Sequence, residues 1–128
     1  MFAVDGTLTG GTPGIEFRHC SEQMGAGIGI KFFDWDPILG QTGNNVPRKL
    51  TNRMIEIAEK YNIPYQREVI MGGGTDAWSV AMSGEGVLAG GICIPQRYLH
   101  TAVGTVHMDD MESTVNFIVK FLQDYTSL

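Results

Sequence analysis

The chain predicts an α/β fold, a three-layer α/β/α sandwich around a mixed central sheet, and three observations carry that expectation. Short β-type runs alternate with stretches of helical periodicity along its 128 residues, the order found where helices cover both faces of a sheet. Val87 to Ile94 is apolar without alternation, as in a strand covered on both faces at the centre of a sheet. Two segments, Pro47 to Tyr61 and the one opening at Asp109 or Asp110, space their apolar residues as one helical face.

Taken in order, Met1 to Val4 is a short apolar run that ends in the carboxylate of Asp5 and reads as a strand. Gly10-Gly11-Thr12-Pro13-Gly14 is a turn, because permissive glycines surround a proline without a donor. Gly25 to Phe33 is glycine-broken, but its second half is β-type and predicts a second strand. Leu50, Met54, Ile57, Ala58 and Tyr61 mark a helix that Pro47 opens and Asn62-Ile63-Pro64 stops. Tyr65 to Ile70 alternates as a half-exposed strand does. After the glycines at 72–74, Thr75 is placed to cap a helix over 76–82, with Gly84 and Gly86 as its exit. In the last helix, Met111, Val115, Ile118, Val119 and Leu122 form the expected buried stripe. There is no internal repeat or low-complexity stretch, so residues 1–128 are read as a single domain.

Composition narrows the function classes. Nine Lys and Arg against fourteen Asp and Glu give a net charge of −5 with no basic cluster, which argues against a nucleic-acid partner. No apolar run approaches the ~18 residues that span a bilayer, so no membrane partner is expected. Met1-Phe2-Ala3-Val4-Asp5 lacks the features of a secretory signal. Cys20 and Cys93 stand far apart without C-x-x-C spacing, pointing to reduced thiols and a cytoplasmic setting. Cys93, inside Gly91-Ile92-Cys93-Ile94, reads as a small core residue.

Asp5 and His100 each follow a strand-like run, and functional groups of open α/β sheets gather where chains leave the carboxyl ends of strands. Both are donors suited to zinc, cobalt or manganese, yet a metal site needs three or four protein ligands. Glu16, His19, Glu22, Asp34 and Asp36 have no ligand-like spacing and read as surface charge. His107-Met108-Asp109 leads directly into a helix, so helix N-terminal charge accounts for Asp109 and Asp110. Gly25-Ala26-Gly27-Ile28-Gly29 continues as strand and is no nucleotide loop. The Gly72-Gly73-Gly74-Thr75-Asp76 segment could present backbone N–H groups to a substrate, or simply make a tight strand-to-helix turn. Arg97 and Tyr98 are placed to orient His100 or to pack beside it.

Val4-Asp5-Gly6-Thr7 with Gly11-Thr12-Pro13-Gly14, Ile63-Pro64-Tyr65-Gln66, Gly72 to Ala77, Ser83 to Val87 and Ile94 to Thr101 together resemble the C-terminal part of the glutamyl and tetrahedral (deblocking) aminopeptidases. That family also has members named as endoglucanases. The resemblance implies a zinc-peptidase-like fold and two divalent ions, zinc or cobalt, that activate water against the N-terminal bond of a peptide. It further implies that Asp5 ligates one ion and His100 the other, while Gly72, Gly73, Gly74, Thr75 and Asp76 line the substrate pocket. The family's other ligands and its general base precede the matched region, and this chain has no Glu-Glu pair. The N-terminal part of the catalytic domain is therefore expected to be missing, with metal occupancy partial or absent. Gly11 and Gly104 also depart from the Asp and Glu usual in the family.

These readings give an ordered set of expectations. The first is a fragment or subunit of a metal-dependent aminopeptidase, inactive alone. Next comes a catalytically inactive descendant that binds a peptide or partner. A sugar hydrolase ranks last, because no pair of carboxylates flanks a plausible scissile bond. An uncovered sheet edge also predicts a homo-oligomer or pairing with a complementary chain.

Overall fold

A computed structural model describes residues 1–35 and 43–124. Along it run β1 (Phe2–Leu8), a single 3-10 turn (Phe17–His19), β2 (Ile28–Trp35), β3 (Gly43–Asn45), α1 (Arg48–Lys60), β4 (Tyr65–Met71), α2 (Asp76–Ala81), β5 (Gly90–Arg97), β6 (Thr105–Val106) and α3 (Met108–Asp124). β5 lies inside the sheet, parallel to β1 on one side and antiparallel to β2 on the other. β4 continues the sheet parallel to β2, while β3 and β6 add short antiparallel pairings to β2 and β5. The sheet is mixed, as predicted, and one row runs Asp5, Cys93, Gly29, Gln66 across four strands.

Alternation along these strands separates two faces. Ile28 and Ile30 of β2 and Ile92 of β5 point to one face, where Leu50, Met54, Ile57 and Ala58 of α1 and Phe117 and Phe121 of α3 complete the core. Phe2 stacks on Phe121 and Phe117 with ring centroids 4.5 and 6.1 Å apart. Thr7, Lys31, Glu68 and Cys93 point to the other face. A bulge between Lys31 and Phe33 shifts the parity of β2, so Asp34 stands opposite Ile70 on that charged face as well. Thr75, at the start of α2, gives both its N–H and its hydroxyl to Asp34 Oδ2, at 3.1 and 2.9 Å. α2 thereby forms the third layer, across the sheet from α1 and α3.

Several sequence expectations are corrected. The first strand continues through Asp5 to Leu8, so Asp5 lies within a strand and not after it. Val87 and Leu88 are exposed and precede β5, which starts at Gly90. Thr75 makes no side-chain cap, since its hydroxyl is spent on Asp34. The buried face of α3 is Asp110, Thr114, Phe117 and Phe121, whereas Val115, Val119 and Leu122 of the expected stripe are exposed. Aromatic bulk decides this: two phenylalanines against Phe2 bury more area than three small aliphatics. The polar members of that face are satisfied locally, for Thr114 donates to the Asp110 carbonyl at 2.7 Å. Asp110 reaches away from its own helix and accepts the N–H groups of Gly25 and Gly27 at 2.7 and 2.8 Å. Glu22 and Asp34, expected on the surface, are buried; Asp36 lies outside the described residues.

Candidate functional site

The charged face is organised around Lys31 and Glu68. Their register partnership across β2 and β4 sets Nζ 2.6 Å from Oε2, with both side chains buried. Thr7 of β1 donates to Glu68 Oε1 at 2.8 Å, tying three strands together beneath Cys93 of β5. Burial pushes Glu68 above the ordinary carboxylate value, while Lys31 pulls it back. Burial works against the Lys31 ammonium too, but the negative charge around it, Glu68 and Asp34 included, more than offsets that and raises its pKa. Burial also raises the Cys93 thiol, which stays neutral. Glu22 is raised to about 7 by burial, with Ser21 Oγ 2.5 Å from its Oε1 opposing that shift.

Asp5 projects from the same face one row away and is exposed. Its Oδ1 accepts the N–H of Gly6 at 2.7 Å. Because β1 and β5 are parallel, the chain leaves both in the same direction, and the turn after β5 folds back onto β1: a Cβ at Gly6, inside that strand, would stand 3.3 Å from Leu99 Cδ1. The residue after Asp5 thus meets the residue before His100. His100 is exposed, and it and Tyr98 adopt φ of +59° and +58°, backbone conformations that non-glycine residues rarely hold without support. That support comes from the Tyr98 carbonyl, which accepts the Thr101 hydroxyl at 2.6 Å, and from β6, which pairs with Gln96 and Arg97.

The glycine loop stands elsewhere. β4 is antiparallel to β5 by way of β2, so residues 72–76 leave the opposite end of the sheet from His100. Its donors are engaged within the fold: Gly72 and Gly73 give their N–H groups to the Trp35 carbonyl at 2.8 and 3.1 Å, and Thr75 is held by Asp34. Asp76 is exposed in the first turn of α2. Asp5 therefore stands inside β1 beside Cys93, Arg97 ends β5 with Tyr98 and His100 in the turn that follows, and the Gly72–Asp76 loop leaves the opposite end of the sheet. Among the described residues no three His, Cys, Asp or Glu side chains group as a metal site would require. Two donors at the rim do not fit a complete metal centre.

Sequence reasoning missed Lys31 and Glu68, and it placed Glu22 on the surface. The signal was present in β2 and β4, where a charged residue falls at an inward position in each strand, but nothing local says that the two positions face each other.

Residues 1–117 match the family model of the M42 glutamyl aminopeptidases. A protein of Acetivibrio thermocellus described as an aminopeptidase is 37% identical over 118 residues, which are 92% of this chain and 33% of that protein. Aminopeptidase APDkam598 from the archaeon Desulfurococcus kamchatkensis superposes with a TM-score of 0.87 at 35% identity, over 98% of this chain and 34% of that one. The Pyrococcus horikoshii TET1 peptidase, which can assemble into a tetrahedron or a large octahedral shell, gives a TM-score of 0.66 at 26% identity, over 94% and 32% of the two chains. The chain spans about a third of the length of these relatives. With the match running nearly end to end and the mixed sheet reproduced, this chain belongs to the M42 glutamyl aminopeptidase family.

Proposed function

We propose that the chain forms part of a metal-dependent aminopeptidase, a hydrolase of the N-terminal bonds of peptides, and supplies one ligand to each of two divalent ions, zinc or cobalt, through Asp5 and His100. The observation that carries this reading is the parallel pairing of β1 and β5, which directs both strands toward one end of the sheet, with Leu99 of the turn after β5 folded back to Gly6 of β1. Family membership adds the chemistry: bound ions would polarise the scissile carbonyl and the attacking water. Two donors do not make that centre, so no hydrolytic step is assigned to these residues alone. The remaining ligands and the general base are proposed to come from residues outside this chain. Arg97 and Tyr98 brace the His100 turn, and the Gly72–Asp76 loop bounds the same charged face from its other end. By analogy with the TET1 peptidase, we propose a homo-oligomer working in the cytoplasm.

A second reading, a peptide- or partner-binding protein without catalysis, is favoured by the shortage of donors among the described residues. One experiment separates the two. The chain is measured for bound metal by elemental analysis after zinc or cobalt addition, and for hydrolysis of leucyl- and glutamyl-anilides. Both measurements are then repeated with a polypeptide carrying the other two thirds of the A. thermocellus relative. The chain alone is expected to hold little metal and turn over nothing. The mixture should hold two ions per complex and gain activity, with one ion lost in each of Asp5→Asn and His100→Asn. Two ions and turnover in the chain alone would overturn the incomplete-site reading, and a complex that stays inactive and metal-free would favour the binding reading.

A further inference from the structure

Among the described residues β4 has a strand on one side only, that of β2, and the free side of an edge strand presents N–H and C=O groups that no strand pairs. At Val69 one side chain serves both groups. The Val69 N–H donates to Ser21 Oγ at 3.0 Å, and the same hydroxyl lies 3.2 Å from the Val69 carbonyl oxygen. Ser21 Oγ also lies 2.5 Å from Glu22 Oε1. A serine hydroxyl carries one proton and two lone pairs, so it cannot donate to the Val69 carbonyl and to the Glu22 carboxyl at once. The state of the carboxyl decides between them. Ionised, it only accepts, and a short charge-assisted bond takes the Ser21 proton; the carbonyl of Val69, an exposed residue, turns to water. Protonated, it donates to Ser21 Oγ, whose other lone pair serves the Val69 N–H and whose own proton is then free for the Val69 carbonyl.

The carboxyl is held where this choice matters. Glu22 is buried, and its main-chain carbonyl accepts the Thr9 hydroxyl at 2.8 Å. Burial raises its pKa to about 7; Ser21 opposes the rise, Glu68 of β4 adds to it and Lys31 of β2 opposes it. The thiols of Cys93 on β5 and Cys20 in the same segment are themselves raised, chiefly by burial, and stay neutral while Glu22 titrates.

We propose that Glu22 and Ser21 form a proton-operated latch on the outer edge of β4, closed over the Val69 carbonyl when the carboxyl is protonated and released when it is ionised. The proton passes to solvent, and the Val69 N–H keeps its acceptor in both states. The latch is independent of whether Asp5 and His100 bind ions.

The test follows the carbonyl carbon of Val69 and the carboxyl carbon of Glu22 in carbon-13 spectra of the whole chain between pH 5 and 9. In the native chain both signals are expected to move with one midpoint, near 7, the carbonyl in the direction of weaker hydrogen bonding as pH rises. In Glu22→Gln, whose amide donates as the protonated acid does, the Val69 carbonyl should stay at its low-pH position throughout. In Ser21→Ala the Glu22 carboxyl should still titrate, at a higher midpoint, while the Val69 carbonyl no longer follows it. If Ser21→Ala does not fold, Glu22→Gln carries the test. A Val69 carbonyl that ignores the Glu22 titration in the native chain, or that moves in either variant as it does there, would overturn the proposal.

Discussion

The hydroxyl of Thr7 donates to Glu68 Oε1 at 2.8 Å although the two residues stand 61 apart in the chain. Lys31 holds the other carboxylate oxygen at 2.6 Å, so a single buried carboxylate joins β1, β2 and β4 beneath β5. Breaking one side of a buried pair leaves a charge without compensation. Glu68→Gln or Lys31→Met is therefore expected to lower unfolding stability by about 3–5 kcal/mol, and the double replacement Lys31→Met with Glu68→Leu by clearly less. Urea unfolding of the three variants checks the order; a double variant no better than either single one would count against the pair.

Glu22 makes stability depend on pH in a defined direction. Its pKa is raised from 4.5 to about 7, so the folded chain favours the protonated form. The contribution is fully present below pH 4.5 and is lost as pH rises through 7, amounting to about 3 kcal/mol at most. Relative to the native chain, Glu22→Gln is expected to gain stability between pH 5 and 8. Urea midpoints measured across that range test this, and parallel pH profiles for the two proteins would refute it.

Asp110 is a clamp between α3 and the entry to β2, since its two oxygens take the N–H groups of Gly25 and Gly27. Asp110→Ala leaves those donors without acceptors and should cost about 2–4 kcal/mol, as the loss of two charge-assisted bonds implies. Amide exchange at Gly25 and Gly27 should accelerate more than at the amides of α1. Uniform acceleration across the molecule would show that the clamp is not local.

The two candidate faces of α3 respond differently to substitution. Phe117→Ala, at a fully buried ring, is expected to cost about 3–5 kcal/mol, while Val115→Asn and Val119→Asn should change stability by no more than about 1 kcal/mol. Chemical unfolding of the three proteins decides it. If the valine variants also reduce an oligomer seen by light scattering, that exposed face takes part in assembly; the stability prediction stands apart from that outcome.

Much of the fold was legible because its signals are local. Leu50, Met54, Ile57 and Ala58 form the buried face of α1 as their spacing says, and the unbroken apolar run before Arg97 marks the strand with neighbours on both sides. The face of α3 was misread because two apolar stripes share that helix, and spacing cannot weigh them. The choice fell to Phe2, a residue of a strand more than a hundred positions earlier. The site divides in the same way. Asp5, Arg97, His100 and the glycine loop lie in recognisable motifs, whereas Lys31 and Glu68 do not.

By itself, then, the sequence determined which elements form and which family they resemble, since periodicity, turn chemistry and motif order are written in neighbouring residues. Only the tertiary structure decided which charges are buried together, and that the loop at Gly72 and the turn at His100 leave opposite ends of the sheet. Strand direction and burial arise from pairings between distant segments, and a carboxylate's environment depends on what those pairings set against it and not on its neighbours in the chain.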